Sequence, residues 1–254
     1  MKVCIQRIFR YYPPRYYPNL RIAFPKDMRN ERAIKSDQTF YAIHPHGAFC
    51  MGWGTLFLHQ AFESVRFCFA PYLYMTPFFR LFTRCTGRPG SAGKTSMITY
   101  LKEGESLALL PGGFEEATLT CMQQDRVFIK KRTGFIRLCL QHGVAVRPVF
   151  VFGEKDCYWN VQGGWDWRLT LNRYGIPTIL TWGRWWIPLL PKKDASLFIA
   201  VGNAINLPRI ENPSKEQVKQ WHDKYVTALT RLYDDNKDEA YGPTKAKAMK
   251  LEVW

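Results

Sequence analysis

Three short stretches of this chain combine residue types that can move a proton, hold an anion or stabilise a developing negative charge. The first is His44-Pro45-His46-Gly47. Imidazole exchanges its proton readily near neutral pH, and glycine lets the backbone approach closely or turn at an unusual angle. On these residues alone the histidines read as a catalytic pair, as structural hydrogen-bonding groups or as metal ligands. The second stretch is Pro111-Gly112-Gly113-Phe114-Glu115-Glu116. Two successive glycines expose N–H groups that can form an anion nest or an oxyanion hole. A carboxylate just beyond them can orient a histidine and stabilise its charged form. The plainer reading is a glycine turn before a solvated acidic pair. The third stretch is Lys130-Lys131-Arg132-Thr133-Gly134-Phe135. Three cations precede a predicted helix start, where phosphate binding is favoured; a solvated basic loop is the alternative.

Two other features fall away. Gly93-Lys94-Thr95 looks like the end of a nucleotide-binding P-loop, but the glycine that motif requires is replaced by Arg88, Pro89 sits inside the loop, and no clear strand runs into it. Cys50 is four residues from His46, which suggests a cysteine acyl-enzyme, yet nothing in the sequence activates the thiol. The seven cysteines, at positions 4, 50, 68, 85, 121, 139 and 157, form no C-x-x-C pair. Their odd number argues against a disulfide framework or a zinc module. They read as neutral thiols of a reducing compartment, and no metal is expected.

The elements that must position these residues follow an α/β pattern. Apolar runs at residues 39–43, 65–70, 106–110, 144–152 and 196–201 predict strands, and the first and third deliver the chain into the histidine and glycine motifs. Helices are predicted over residues 95–102 and 134–142, the second closed by Gly143. The clearest helix starts after Pro213, where Ser214 and Gln217 form a capping box. Val218, Trp221, Tyr225, Leu229 and Leu232 then recur at helical spacing. The charged tail after Asp234 is expected on the surface. The sequence predicts one α/β domain, a mixed central sheet flanked by helices, over residues 39–254, with residues 1–38 as a membrane-proximal segment.

Bulk composition narrows the partners. A length of 254 residues suffices for one sizeable core, and a hydrophobic share of 46% excludes a disordered chain. The net charge of +15 points to nucleic acid, an anionic bilayer or a phosphate-rich small molecule such as coenzyme A. Nine Trp and an aromatic share of 15% favour a place where one side is apolar and the other wet. No secretory signal is visible, and no apolar run is long enough to cross a bilayer. Residues 38–62 hold three histidines and a proline; residues 174–191 are interrupted by Arg184 and helix breakers. Membrane contact is therefore expected in the interface. The expected patch is residues 176–190, with Trp182, Trp185 and Trp186, together with the aromatic stretch at 11–17. Arg184 is expected to reach either a lipid phosphate or back into the protein.

In order, the motifs resemble the type-2 diacylglycerol/monoacylglycerol acyltransferase family. The resemblance runs from about Tyr11 to the C-terminus. It rests on Tyr-Tyr-Pro near the start, HPHG at 44–47, PGGFEEA at 111–117, RTGFIRLCLQHG at 132–143, Pro148, FGE at 152–154, GR at 183–184, LLP at 189–191 and VGNAINLP at 201–208. It implies a glycerolipid-acyltransferase fold and transfer of a fatty acyl group from acyl-CoA, the co-substrate, with no cofactor. The implied acceptor is diacylglycerol; monoacylglycerol or a long-chain alcohol is the alternative. The resemblance implies His46 as leading catalytic residue with His44 beside it, and Glu116 as the Gly-Gly-x-x-Glu carboxylate, which Glu115 does not match. It implies a place on the cytosolic face of the endoplasmic reticulum or on a lipid droplet, no nucleic-acid partner, and leaves a homo-oligomer open. Two departures stand out. The family carries hydrophobic membrane segments before its aromatic-proline motif, whereas only about ten residues precede it here, so a trimmed form with a weaker membrane hold is expected. The His-x-x-x-x-Asp dyad of wider phospholipid acyltransferases is missing, since Phe49 and Met51 stand at the fifth positions after His44 and His46.

The mechanism so implied is direct transfer: His46 accepts the hydroxyl proton, N–H groups near Gly47, Gly112 and Gly113 stabilise the oxyanion, and Lys131, Arg132 and Gly134 hold the coenzyme A phosphates. A non-catalytic basic membrane-binding protein is the reading of a different class.

Overall fold

The computed structural model describes residues 16–17, 19–28, 38–176 and 178–254. Its strands are β1 (Arg21–Ala23), β2 (Thr39–His44), β3 (Arg66–Phe69), β4 (Pro89–Ser91), β5 (Leu107–Leu109), β6 (Asp125–Val127), β7 (Ala145–Phe152), β8 (Trp159–Asn160), β9 (Thr181–Trp182), β10 (Phe198–Val201) and β11 (Leu251–Val253). The α-helices are α1 (Met51–Leu58), α2 (Pro71–Met75), α3 (Pro77–Thr86), α4 (Lys94–Lys102), α5 (Gly113–Thr118), α6 (Gly134–His142), α7 (Trp165–Arg173), α8 (Lys215–Tyr241) and α9 (Pro243–Ala246).

A seven-stranded sheet runs in the order β1-β10-β7-β2-β5-β3-β4. From β7 to β4 the strands are parallel, while β10 is antiparallel to β7 and pairs in parallel with β1. The expected mixed α/β architecture is therefore present. Every residue of β2 is buried, as both faces of a central parallel strand must be. Its side chains alternate between two cores. Phe40 and Ala42 join the core formed with α6 and α8, whereas Tyr41 and Ile43 join the core formed with α1. His44 has the parity of Phe40 and Ala42, so it points toward α8.

The capping box at Ser214 and Gln217 forms as expected, and Gly143 closes α6 in the left-handed region at φ 66°. Three expectations need correction. The chain beyond Asp234 is not merely a surface tail: α8 continues to Tyr241, and β11 pairs in parallel with β6. Tyr233 and Tyr241 donate to Asp125 Oδ2 at 2.8 and 2.7 Å, and Lys155 lies 3.4 Å from Oδ1, so a buried polar cluster holds this end down. Within the expected membrane-proximal segment, residues 21–23 supply the edge strand β1 of the main sheet. A short strand, β4, does run into Gly93-Lys94-Thr95, although the missing glycine still excludes a P-loop.

Candidate active site

Chain reversal at the end of β2 builds the site. The parallel neighbours β5 and β7 flank β2, and the segment after each supplies a buried carboxylate. Glu116, 1% exposed, comes from α5 after β5. Glu154, 2% exposed, follows β7 directly.

Glu116 holds the histidine motif. Its carboxylate oxygens lie 2.9 and 3.1 Å from His44 Nδ1. Oε1 accepts the His46 backbone N–H at 2.7 Å, and Oε2 accepts the Phe128 N–H at 2.8 Å. A Cβ on Gly112 would overlap the Glu116 carboxyl, so glycine at this position admits the carboxylate. Gly113 takes φ +60°, and its N–H is spent on the Leu110 carbonyl at 3.2 Å. Of the Gly112-Gly113 pair expected at an oxyanion hole, the Gly113 N–H is thus engaged within its own turn.

The two histidines differ sharply. His44 is wholly buried. With its Nδ1–H donated to Glu116, Nε2 accepts from the Tyr225 hydroxyl at 3.0 Å. Burial pushes the Tyr225 phenol well above its usual range, which keeps it a donor. Both ring nitrogens of His44 thus have protein partners, and no face is open to a substrate. His46 is half-buried. Its Nδ1 donates to the Gly47 carbonyl at 2.9 Å, which leaves the lone pair on Nε2. Burial holds its pKa below the ordinary imidazole value, so the ring is neutral near pH 7. Cys50 Sγ lies 3.3 Å from Nδ1 and 3.5 Å from Nε2. Burial raises this thiol well above its usual pKa, which makes it a neutral donor and a poor nucleophile. Cys50 itself takes the left-handed conformation at φ 54°.

Glu154 holds the other end of the loop. Its oxygens accept the N–H groups of Met51 and Gly52 at 2.8 and 2.7 Å, at the start of α1. Gly47 sits at φ +61°, where a Cβ would collide with the Glu154 side chain; glycine is required there on both counts. Burial pushes the Glu154 carboxyl up to about 7, against the pull of the two N–H donors.

The basic stretch is only partly drawn in. Arg132 pairs with Glu115, and its guanidinium lies 5.2 Å from the Phe128 ring centroid. Arg132 thereby stands beside α5, and Glu115, which has no place in the resembling motif, is its anchor. Lys131 is exposed, and the exposed Gly134 opens α6. Sequence reasoning missed Glu154 as a site residue, although its position behind an apolar strand and a glycine was a signal. It also missed Tyr225, which the helical stripe presents as an ordinary core residue.

A profile of the family described as diacylglycerol acyltransferase matches residues 5–252. The chain belongs to the diacylglycerol acyltransferase family. As a member of this family it is an acyltransferase. It is 30% identical over 255 residues to acyl-CoA wax alcohol acyltransferase 2 of Homo sapiens, covering 90% of this chain and 74% of that protein. It is 30% identical to diacylglycerol O-acyltransferase 1 of Saccharomyces cerevisiae, covering 94% and 61%. It is 28% identical to 2-acylglycerol O-acyltransferase 3 of Homo sapiens, covering 88% and 72%. The crystal structure of the 1-acyl-sn-glycerophosphate acyltransferase PlsC from Thermotoga maritima shares the fold, with a TM-score of 0.51 at 14% identity over 89% of this chain and 78% of that one. In this diacylglycerol acyltransferase family member, the carboxylate that meets a histidine comes from α5 and not from the turn after the histidine motif.

The interfacial segment can also be placed. Trp182, Trp185, Trp186, Ile187 and Leu189 are exposed, the two adjacent tryptophans at 87% and 86%. They do not fill the core. Arg184 turns back, donating to the Pro191 carbonyl at 3.3 Å and lying over the Tyr16 ring. Tyr16 donates to the same carbonyl at 2.7 Å, and Tyr17 is buried; the expected N-terminal half of the patch therefore faces inward at these positions, and residues 11–15 lie outside the described residues.

Proposed function

We propose that this acyltransferase moves a fatty acyl group from acyl-CoA to the free hydroxyl of diacylglycerol, giving triacylglycerol, with His46 as general base. The carrying observation is the contrast between the rings: His44 is wholly buried between Glu116 and Tyr225, whereas His46 is half-buried and its unprotonated Nε2 meets only the Cys50 thiol, at 3.5 Å. The acceptor O–H gives its proton to His46 Nε2, its oxygen bonds to the thioester carbonyl carbon, and the C–S bond breaks. Coenzyme A leaves as a thiolate and recovers a proton from the imidazolium. Glu116 supports the step by fixing the His46 backbone and the His44 ring. Lys131, Arg132 and the start of α6 at Gly134 hold the coenzyme A phosphates. The high pKa of Cys50 argues against an acyl-enzyme.

No helix among the described residues is long and apolar enough to cross a membrane. The exposed Trp182–Leu190 region supports contact at the headgroup level, on the cytosolic face of the endoplasmic reticulum or on a lipid droplet. A long-chain alcohol is the second acceptor reading, favoured by the 30% identity to a wax alcohol acyltransferase. The deciding experiment supplies purified protein with labelled acyl-CoA and diacylglycerol, monoacylglycerol or hexadecanol, and reads products by mass. Triacylglycerol as the main product supports the first reading; wax ester alone replaces it with the second. No acylated lipid from any acceptor removes the proposed reaction.

A further inference from the structure

One part of the surface has its polarity inverted. Helices α2 and α3 expose Tyr72, Met75, Phe78, Leu81 and Phe82, with Phe78 87% exposed. On α3 the outward positions 78, 81 and 82 are apolar, while the buried residues are Thr83 and Thr86. Those threonines satisfy themselves by donating to Phe79 and Phe82 carbonyls of their own helix at 2.8 and 3.0 Å. A water-facing helix has the opposite arrangement, and contiguous exposed apolar side chains of this size mark an interaction surface. The face is also basic. Arg80 and Arg84 are exposed, and no Asp or Glu occurs from Pro71 to Lys102. An apolar face rimmed by arginine and free of acid complements an anionic lipid surface. At five and ten residues the two helices are too short to span, so they would lie in the plane of the interface.

Position strengthens the assignment. Phe79 of α3 packs on Phe69 at 4.9 Å, and Phe69 packs on Trp53 of α1 at 4.5 Å. On the other side of the histidine loop, Phe49 packs on Tyr158 at 4.9 Å, and the Tyr158 hydroxyl donates to Leu189 at 2.7 Å. The exposed helices are thus attached at the β3–β4 edge of the sheet, and the tryptophan segment on the β7 side, with β2 and its loop between them.

We propose that α2 and α3 form a second lipid-binding surface, which docks on an anionic bilayer and, with the tryptophan segment, seats the His46 loop against it. This rests on the reading that the acceptor is dissolved in a bilayer. The test uses the whole chain and sedimentation with vesicles of phosphatidylcholine alone or mixed with phosphatidylserine. The Phe78→Ser/Leu81→Ser double variant should lose at least about tenfold in partitioning, and Arg80→Gln/Arg84→Gln should lose the preference for phosphatidylserine. Turnover of a short-chain alcohol dissolved in water should stay unchanged in both, which shows that they fold. Wild-type partitioning by the double variant overturns the proposal. So does a change in oligomeric state without a change in vesicle binding, which would make this face a contact between copies. Wild-type protein that binds vesicles in the expected way but transfers no acyl group leaves the surface standing and removes the reaction.

Discussion

Glu116 and Glu154 grip opposite ends of one loop, and they grip it by different handles. Glu116 holds the His44 ring and the His46 N–H. Glu154 touches no imidazole: it holds the N–H groups of Met51 and Gly52 and fills the space a side chain at position 47 would need. A carboxylate on an imidazole influences where the proton goes and how the developing charge is stabilised. A carboxylate on backbone N–H groups fixes the path of the chain. Rate should therefore depend on the first, and loop geometry and stability on the second.

The sharpest test of that division is His46, on the loop that both carboxylates hold. His46→Ala should lower kcat by about 10²–10⁴-fold with Tm unchanged; near-normal turnover would end its assignment as the base. Glu116→Gln comes next. Glutamine offers one acceptor where three donors converge, so kcat should fall at least about tenfold, less than for His46→Ala, and stability by roughly 1–3 kcal/mol. Full activity in this variant would place Glu116 outside the chemistry and break the comparison.

Glu154→Gln should show itself mainly in stability, through pH. The folded pKa of Glu154, about 7, is raised from its usual 4.5. The native state therefore holds a proton that the unfolded chain has released between those values. That stabilising contribution is complete below about 4.5 and is lost as pH rises through about 7. Glutamine cannot ionise, so the unfolding free energy of the variant relative to wild type should climb between pH 5 and pH 8, by an amount on the order of 3 kcal/mol, read from denaturant titrations across that range. A flat difference across that range would show that the carboxyl does not bear this burial cost. The smallest effect is expected from Tyr225→Phe. It strands His44 Nε2 in the interior and should cost about 1–3 kcal/mol in stability, with kcat changed only a few-fold. A kcat loss matching His46→Ala would put the His44–Tyr225 pair on the proton's route and reassign the base.

Much of the scaffold was legible because local pattern and tertiary structure agree. The mostly apolar runs of β2 and β7 read as strands buried on both faces, and the cap residues Ser214 and Gly143 mark helix ends that form as read. The tail after Asp234 was misread because its charges sit on a helix whose Tyr241 turns inward to Asp125, a partner distant in sequence. Residues 78–82 escaped notice for a related reason. A mixed run of aromatics and arginines gives helical periodicity but not the direction of the apolar face.

By itself the sequence determined the family, the strand that ends in the histidine motif, the candidate status of His44, His46 and Glu116, and the glycines that make the turns feasible. These follow from residue type and local spacing. Only the tertiary structure decided which histidine is sealed and which is open, because that depends on what covers each side of β2. His44 shares its side with α8, whose Tyr225 lies 181 positions away and closes the ring off; His46 lies beyond the strand, where the chain turns and coverage ends. The same holds for the carboxylates. Glu116 and Glu154 became partners of one loop because β5 and β7 flank β2, an adjacency set by sheet pairing between segments far apart in the chain.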